Sequence, residues 1–487
     1  MSPRFRALGA IILAAFALVA IHVSVRSGSL AQTQTAAPEI PKTPAGNQFT
    51  AWFSAFNSGD KAKLDAFQSN YAKPEDHPTD RLLSFRQQTG GFDLRKIEDS
   101  TPTKLTAVVQ ERGSDQFARL TFEVEPTAPY KVIRIDIRIT ERPAEFALPR
   151  MSQPELVDAL RAKLEKDAVA NVFSGAILLA RDGKTIFTGA YGLADREKKT
   201  PNTLNTKFRI GSMNKMFTAV SILQLVQAGK INLADPLGKY ITDYPNKDIA
   251  TKVTIQQLLT HTGGTGDFFG PEFDAHRLEL KTLQDYVKLF GQRGPQFEPG
   301  SRWDYSNYGF LLLGVIVERV SGKSYYDYVS ENVYKPAGMT STGSLPEDQP
   351  VPDRSIGYTD FGGKGLQPNT DTLPYRGTSA GGGYSTVEDF LRFATALTGH
   401  KLLNAQYTDL MTTGHADTPR GKYGFGLMIF DSGTPSFHFG HGGGAPGMNG
   451  DLTICPQSGY IIAVLSNLDP PAASNIADFL VNRLPVN

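Results

Sequence analysis

Gly211-Ser212-Met213-Asn214-Lys215 opens a run in which Met216, Phe217, Val220, Leu223 and Val226 recur at helical spacing, with Gly229 as its stop. Ser212 therefore falls in the first turn of a predicted helix. A separation of three sets a hydroxyl and an ammonium side by side, so Lys215 could take the proton of Ser212 if its own pKa fell. From a reference of about 10.4, half-neutrality near pH 7 needs a shift of ~3 units, roughly 4 kcal/mol, which burial can supply. Read locally, the pattern is weak: Ser58-Gly59-Asp60-Lys61 repeats it in a turn, and Ser212 is equally an ordinary helix N-cap. Tyr305-Ser306-Asn307 ends a turn rich in polar residues and leads into the apolar run Phe310 to Val320. Tyr305 offers a general base or proton shuttle, and Asn307 an amide to hold a substrate carbonyl, although a packed tyrosine and a capping asparagine are the plain alternative. Gly440-His441-Gly442-Gly443-Gly444 lets a substrate lie against strand backbone. A backbone N–H there, with that of Ser212, would form an oxyanion hole worth on the order of 3 to 4 kcal/mol per donor. A hairpin loop is the bland reading. His438, His441 and His415 lack a carboxylate or cysteine cluster to complete a metal site, so neither metal nor cofactor is expected.

Elements that would position these residues are legible on both sides of them. Glu155 to Ala168 reads as an amphipathic helix, and Phe173 to Ala180 and Thr185 to Tyr191 as a hairpin turned by Asp182-Gly183. Near the other end, Tyr423 to Asp431, Ser436 to His441, Asp451 to Cys455 and Tyr460 to Ser466 read as strands, and Ile476 to Leu484 as a closing helix. Between them, about 212 to 400 is mostly helical with Gly-rich loops. A sheet from both ends with a helical middle predicts one large domain whose cleft lies between sheet and helices. Ahead of it, Phe49 to Phe67 shows helical spacing broken at Asn57-Ser58-Gly59-Asp60, with Asp60 placed to cap the next helix. Lys104 to Thr140 switches to period two, most plainly in Val132 to Ile139, where Ile alternates with charge. Helices then strands imply a small α+β module over 48–142, resembling a ketosteroid-isomerase-like cone, with no acid and base pair of its own.

The N-terminus carries Arg4 and Arg6, an uncharged apolar run from Ala7 to Val25, and the small-x-small triplet Ser29-Leu30-Ala31. Residues 1–31 thus read as a secretory signal peptide or, uncleaved, as an anchor associating with the membrane through residues 7–25; residues 32–47 read as an extended linker. Either way the rest is expected to be exported, to the periplasm or the extracellular space. With 50 Lys plus Arg against 49 Asp plus Glu among 487 residues, the charge excess is only +1, which argues against nucleic acid as a partner. The single Cys455 cannot form an intrachain disulfide.

S-x-x-K, Y-x-N and H-x-G in that order, separated by 93 and 136 residues, coincide far less readily by chance than singly. The region 150–487, about 70 per cent of the chain, resembles the serine β-lactamase and penicillin-binding-protein superfamily. The likeness is to the branch of class C β-lactamases, D-alanyl-D-alanine carboxypeptidases and esterases, and extends to Leu258 to Gly264 and Ala380 to Thr386. The resemblance implies an α+β fold: an antiparallel sheet flanked by helices with a mainly helical subdomain. It makes Ser212 the acylated nucleophile, Lys215 its base partner, Tyr305 the proton shuttle and Asn307, His441, Gly443 and Gly444 substrate ligands. The amides of Ser212 and Gly444 would be the oxyanion donors, and His261 a structural imidazole. His441 departs from the Lys usual in class C β-lactamases. A largely neutral His gives a β-lactam carboxylate no fixed cation, which shifts the expectation toward peptidase or esterase action on a small-molecule or peptide substrate. Two rivals stand beside this reading. Gly377-Thr378-Ser379-Ala380-Gly381 matches a nucleophile elbow but lacks the strand and helix that should flank it. A silent binding protein on the same fold would have no physical reason to keep a costly buried lysine.

Overall fold

The structure, a computed structural model, describes residues 38–140, 142–360 and 365–485. The apolar run 7–25 lies outside them, and among the described residues no helix is long and apolar enough to cross a membrane.

The small N-terminal module consists of helices α1 (Pro44–Ser58), α2 (Lys61–Phe67) and α3 (Thr79–Thr89), then strands β1 (Phe92–Ser100), β2 (Lys104–Glu111), β3 (Phe117–Val124) and β4 (Val132–Thr140). The strands form an antiparallel sheet in sequential order. Thr43 caps α1 by accepting from the Gly46 amide at 3.0 Å, so this helix begins inside the stretch expected to be an extended linker. Asp60 caps α2 through the Ala62 amide at 2.8 Å. Phe49, Trp52 and Phe56 bury their rings against Leu105, Val109 and Phe122 in an apolar core of the module's own. Strand β4 lies at the sheet edge: Ile135 and Ile137 reach the core, whereas Ile133 and Ile139 are 52 % and 41 % exposed. The β2–β3 turn meets the far end of the chain, where Asp115 pairs with Arg142 and Arg483 and the Asn475 amide donates to the Gly113 carbonyl at 3.1 Å.

Helix α4 (Gln153–Val169) starts with a Ser152/Glu155 capping box and leads into β5 (Gly175–Arg181) and β6 (Lys184–Tyr191). Their turn holds Asp182 and Gly183 at φ 50° and 73°, the left-handed pair whose twist matches a hairpin. Helix α5 (Asn214–Gln227) and helix α6 (Asn307–Ser321) cross the middle of the chain. The closing segment supplies β7 (Ala416–Thr418), β8 (Gly421–Tyr423), β9 (Met428–Phe430), β10 (His438–Ala445), β11 (Met448–Cys455), β12 (Tyr460–Ser466) and α7 (Ser474–Val481). Eight strands make one antiparallel sheet in the order β7-β8-β9-β10-β11-β12-β5-β6, so the two ends of the segment pair directly through β12 and β5. The sheet is covered on both faces. Ile177, Leu179, Ile462 and Val464 pack against α4 and α7, while Leu178, Ala463 and Leu465 join the larger core that contains α5 and α6. This double burial explains why β5 and β12 read as continuous apolar runs instead of alternating ones.

The segment Tyr423 to Asp431 is not the single strand its composition predicts. Left-handed Gly426 breaks it between β8 and β9, and a Cβ there would lie 2.8 Å from the Lys215 carbonyl oxygen. Only glycine lets this turn sit on the first turn of α5, and the interruption therefore helps seat the lysine.

Candidate active site

Ser212 lies in a single 3-10 turn, Gly211–Met213, which runs straight into α5. Its side chain caps nothing, so the N-cap alternative falls. Gly211 has φ 52°, and a Cβ on it would stand 3.0 Å from the Gly444 amide nitrogen, so the nucleophile turn leans directly on β10. One turn along, the Lys215 side chain is fully buried among Tyr305, Phe310 and the sheet-side core. Its ammonium nitrogen is 3.1 Å from Ser212 Oγ, 2.7 Å from Asn307 Oδ1 and 2.5 Å from the Ala380 carbonyl oxygen. Burial pushes its pKa down to about 7, with the Asp267 charge pulling the other way.

This arrangement suits an amine that gives and takes a proton. As an ammonium it donates to three oxygens. As a neutral amine it keeps two N–H bonds for Asn307 and Ala380, and its lone pair is left for the Ser212 hydroxyl. Tyr305 stands at the same point: its ring is 4.7 Å from the ammonium, and its hydroxyl bonds Ser212. Burial raises the Tyr305 pKa, more than offsetting that hydrogen bond, so the phenol is protonated at neutral pH. In the free protein Lys215 is thus the better proton acceptor and Tyr305 the better donor.

Asn307 is the first residue of α6, and the helix is capped not by it but by Ser306, whose Oγ accepts from Gly309 N at 2.9 Å. Asn307 is thereby free to reach Lys215 with Oδ1, while its Nδ2 donates to Asp267 Oδ2 at 2.7 Å. Sequence reasoning missed Asp267. Its only signal was the Gly264 and Gly266 flanking a polar loop, and its partner is 40 residues away. His261 is 1 % exposed and accepts from the Ser306 amide at 3.0 Å, which sets the approach to Tyr305 and Asn307.

Strand β9 begins at Met428, opposite Gly440, so β10 beyond Gly440 keeps β11 as a strand neighbour on one side only. Gly444 is exposed at this edge, and Gly443 is buried so tightly that a Cβ would fall 2.0 Å from the Ile210 carbonyl oxygen and 3.1 Å from Ser212 N. His441, expected among the substrate ligands, is 6 % exposed, with Nε2 3.0 Å from the Tyr423 hydroxyl and Nδ1 2.5 Å from the Gly442 carbonyl oxygen. The Nδ1–H tautomer donates to Gly442 and accepts from Tyr423, so both ring nitrogens are engaged within the protein. Burial, with Lys215 nearby, drives its pKa down to about 3, and the ring acts as a neutral strut.

Ser379 of the rival elbow is fully buried and donates to the Leu311 carbonyl at 3.3 Å inside α6, closed to any substrate. The next residue, Ala380, instead lends its carbonyl to Lys215. His415 and His438 bond backbone carbonyls, and among the described residues no group of three or more His, Cys, Asp or Glu could hold a metal. Beside Ser212 a cleft of about 450 Å³ is walled by Phe268, Phe269, Phe273, Tyr286, Leu373 and Met448.

A serine, a desolvated lysine and a tyrosine gathered between an antiparallel sheet and a helical layer define the serine hydrolases of the β-lactamase and penicillin-binding-protein type. The chain belongs to the Beta-lactamase family, which matches residues 161–485. A Bacillus subtilis (strain 168) protein named as a penicillin-binding protein, PbpX, is 32 % identical over 295 residues, 60 % of this chain and 70 % of that one. The crystal structure of a penicillin-binding protein from Bacillus halodurans superposes with a TM-score of 0.60 at 33 % identity, covering 65 % of this chain and 97 % of that one. The D-amino acid amidase of Ochrobactrum anthropi SV3, solved with D-phenylalanine, gives a TM-score of 0.58 at 26 % identity over 67 % and 97 %.

Proposed function

We propose that the protein is an exported serine hydrolase that acylates Ser212 with small amides or esters bearing an apolar, preferably aromatic, acyl side chain. The observation that carries this reading is the Lys215 ammonium within 3.1 Å of a half-buried Ser212 that opens on an aromatic cleft. Neutral Lys215 takes the Ser212 proton as Oγ adds to the carbonyl carbon, and the amides of Ser212 and Gly444 receive the oxyanion. The C–N or C–O bond then breaks as Tyr305 protonates the leaving group, and Lys215 returns its proton to Tyr305. Water enters by the same steps in reverse and releases the acid.

The kinship with D-amino acid amidases and penicillin-binding proteins supports a small amide as substrate. Among the described residues no lysine or arginine lines the cleft beside Ser212, and His441 is neutral and engaged, which favours esters and amides over β-lactams carrying a carboxylate. Export rests on Arg4, Arg6 and the apolar run 7–25.

The test incubates the purified protein with p-nitrophenyl esters, D-phenylalanine amide, a D-Ala-D-Ala peptide and a penicillin, then weighs it for an acyl adduct. An adduct on Ser212 that Ser212→Ala abolishes and Ser379→Ala retains is expected. No adduct and no hydrolysis with any of the four would favour a silent binding protein instead.

A further inference from the structure

We propose that Asp267 is a positioning residue of this centre, orienting the Asn307 amide toward Lys215 and placing a carboxylate behind it. The inference rests on the reading of Ser212 and Lys215 given above and deepens it. An amide has a donor end and an acceptor end of almost the same shape, and only the acceptor end serves an amine that must donate. With Oδ2 of Asp267 2.7 Å from Asn307 Nδ2, a flipped amide would set oxygen against carboxylate and N–H against ammonium. The carboxylate and the ammonium thus select the same one of two orientations, and when Lys215 is a neutral amine, able to accept as well as donate, the carboxylate alone still rejects the other.

Asp267 is itself held firmly. The Phe269 amide donates to its Oδ1 at 3.1 Å, and Arg293 donates to its carbonyl at 3.0 Å. The neighbouring Gly266 carbonyl receives the Ser306 hydroxyl, tying the loop to the start of α6. Gly264 and Gly266 are left-handed, and a Cβ on either would strike Phe297 O or Gln296 Nε2 at 2.6 and 2.5 Å, so the loop has little room to relax.

The groups around Lys215 leave Asp267 as the charge that matters. Tyr305 is a neutral phenol, and His261 and His441 are both kept neutral by burial. Tyr423, behind Tyr305, is likewise held protonated by burial. Asp267 favours the ammonium and so opposes the larger effect of desolvation on Lys215. An amine pushed lower would be a constantly available but weaker base.

The test compares the wild type with Asp267→Asn, which keeps an acceptor oxygen but no charge, and Asp267→Ala, which keeps neither. The acylation rate of Ser212 is followed across pH 5 to 9, with KM measured separately and folding checked by circular dichroism. Because the lost charge had raised the lysine pKa, the acidic limb of kcat/KM should move to lower pH in both variants, by at least half a unit. Asp267→Ala should also lose on the order of 10- to 100-fold in kcat with KM little changed, and Asp267→Asn should recover most of that loss. A merely structural role would lower stability without moving the limb. If the wild type acylates Ser212 and both variants keep its limb and rate, the assignment of Asp267 fails while the nucleophile stands. If the wild type forms no adduct, the reading of the centre fails first.

Discussion

Gly443→Ala against Gly442→Ala separates the geometry of the nucleophile turn from the general stability of the sheet. A Cβ at 443 would lie 2.0 Å from the Ile210 carbonyl oxygen and 3.1 Å from Ser212 N, whereas one at 442 meets nothing nearer than Gly450 O at 3.5 Å. An ordinary C···O approach is about 3.3 Å, so β10 and the turn carrying Ser212 must part by about 1.3 Å. A displacement of ~1 Å at a reacting centre costs on the order of 100-fold in rate. Overpacking of this kind costs about 1 to 3 kcal/mol of stability, which in a chain this long lowers Tm by only about 1 to 3 °C. Gly443→Ala should therefore stay folded yet acylate about 100-fold more slowly, while Gly442→Ala stays within about threefold of the wild type. The assay is the burst of p-nitrophenol from an aromatic acyl ester, run beside a thermal melt. Wild-type acylation by Gly443→Ala, or equal damage from Gly442→Ala, would refute the inferred approach of strand to nucleophile.

Other outcomes follow from the same site. With the Lys215 pKa at about 7, kcat/KM should rise with pH and level off above about pH 8, and Lys215→Arg, a permanent cation, should abolish the adduct at every pH. Phe269, 58 % exposed at the cleft wall, should contribute mainly to binding. Phe269→Ala is expected to raise KM for an aromatic acyl ester about 10-fold and to leave an acetyl ester nearly unaffected, as steady-state kinetics would show. Asp451 is half-buried and accepts from the Thr453 hydroxyl at 2.7 Å, and desolvation pushes its pKa up to about 7. The native state then binds a proton that the unfolded chain has released, so stability should fall as pH rises from about 4 through 7, by at most roughly 4 kcal/mol or about 4 °C in Tm. Asp451→Asn should flatten that dependence in melts taken at pH 5 and pH 8, and an unchanged slope would count against it.

Local patterns carried much of the architecture. The Asp182-Gly183 hairpin, the Asp60 cap, the run Tyr460–Ser466 and the helix after Gly211-Ser212 are settled by φ preferences and by hydrophobic period, which act over a few residues. Ser212 sits in the 3-10 turn that runs into α5 and Lys215 in the first turn of α5, so their closeness was legible from spacing. Tyr305 and Asn307 stood out as polar groups at a helix entry, but their roles came from the resemblance, since nothing near them in the chain says that Asn307 meets a lysine 92 residues away.

The amino-acid sequence by itself determined the pairing of hydroxyl and amine, the two-part layout and the alternation of strands, because these depend on neighbours along the chain. Tertiary structure alone decided that Lys215 is desolvated, that Asp267 clamps Asn307, that His441 is consumed by Tyr423 and Gly442, and that Ser379 is closed off. Desolvation and hydrogen bonding are set by whatever the fold brings within a few ångströms, and residues tens or hundreds of positions apart carry no record of that distance in their order.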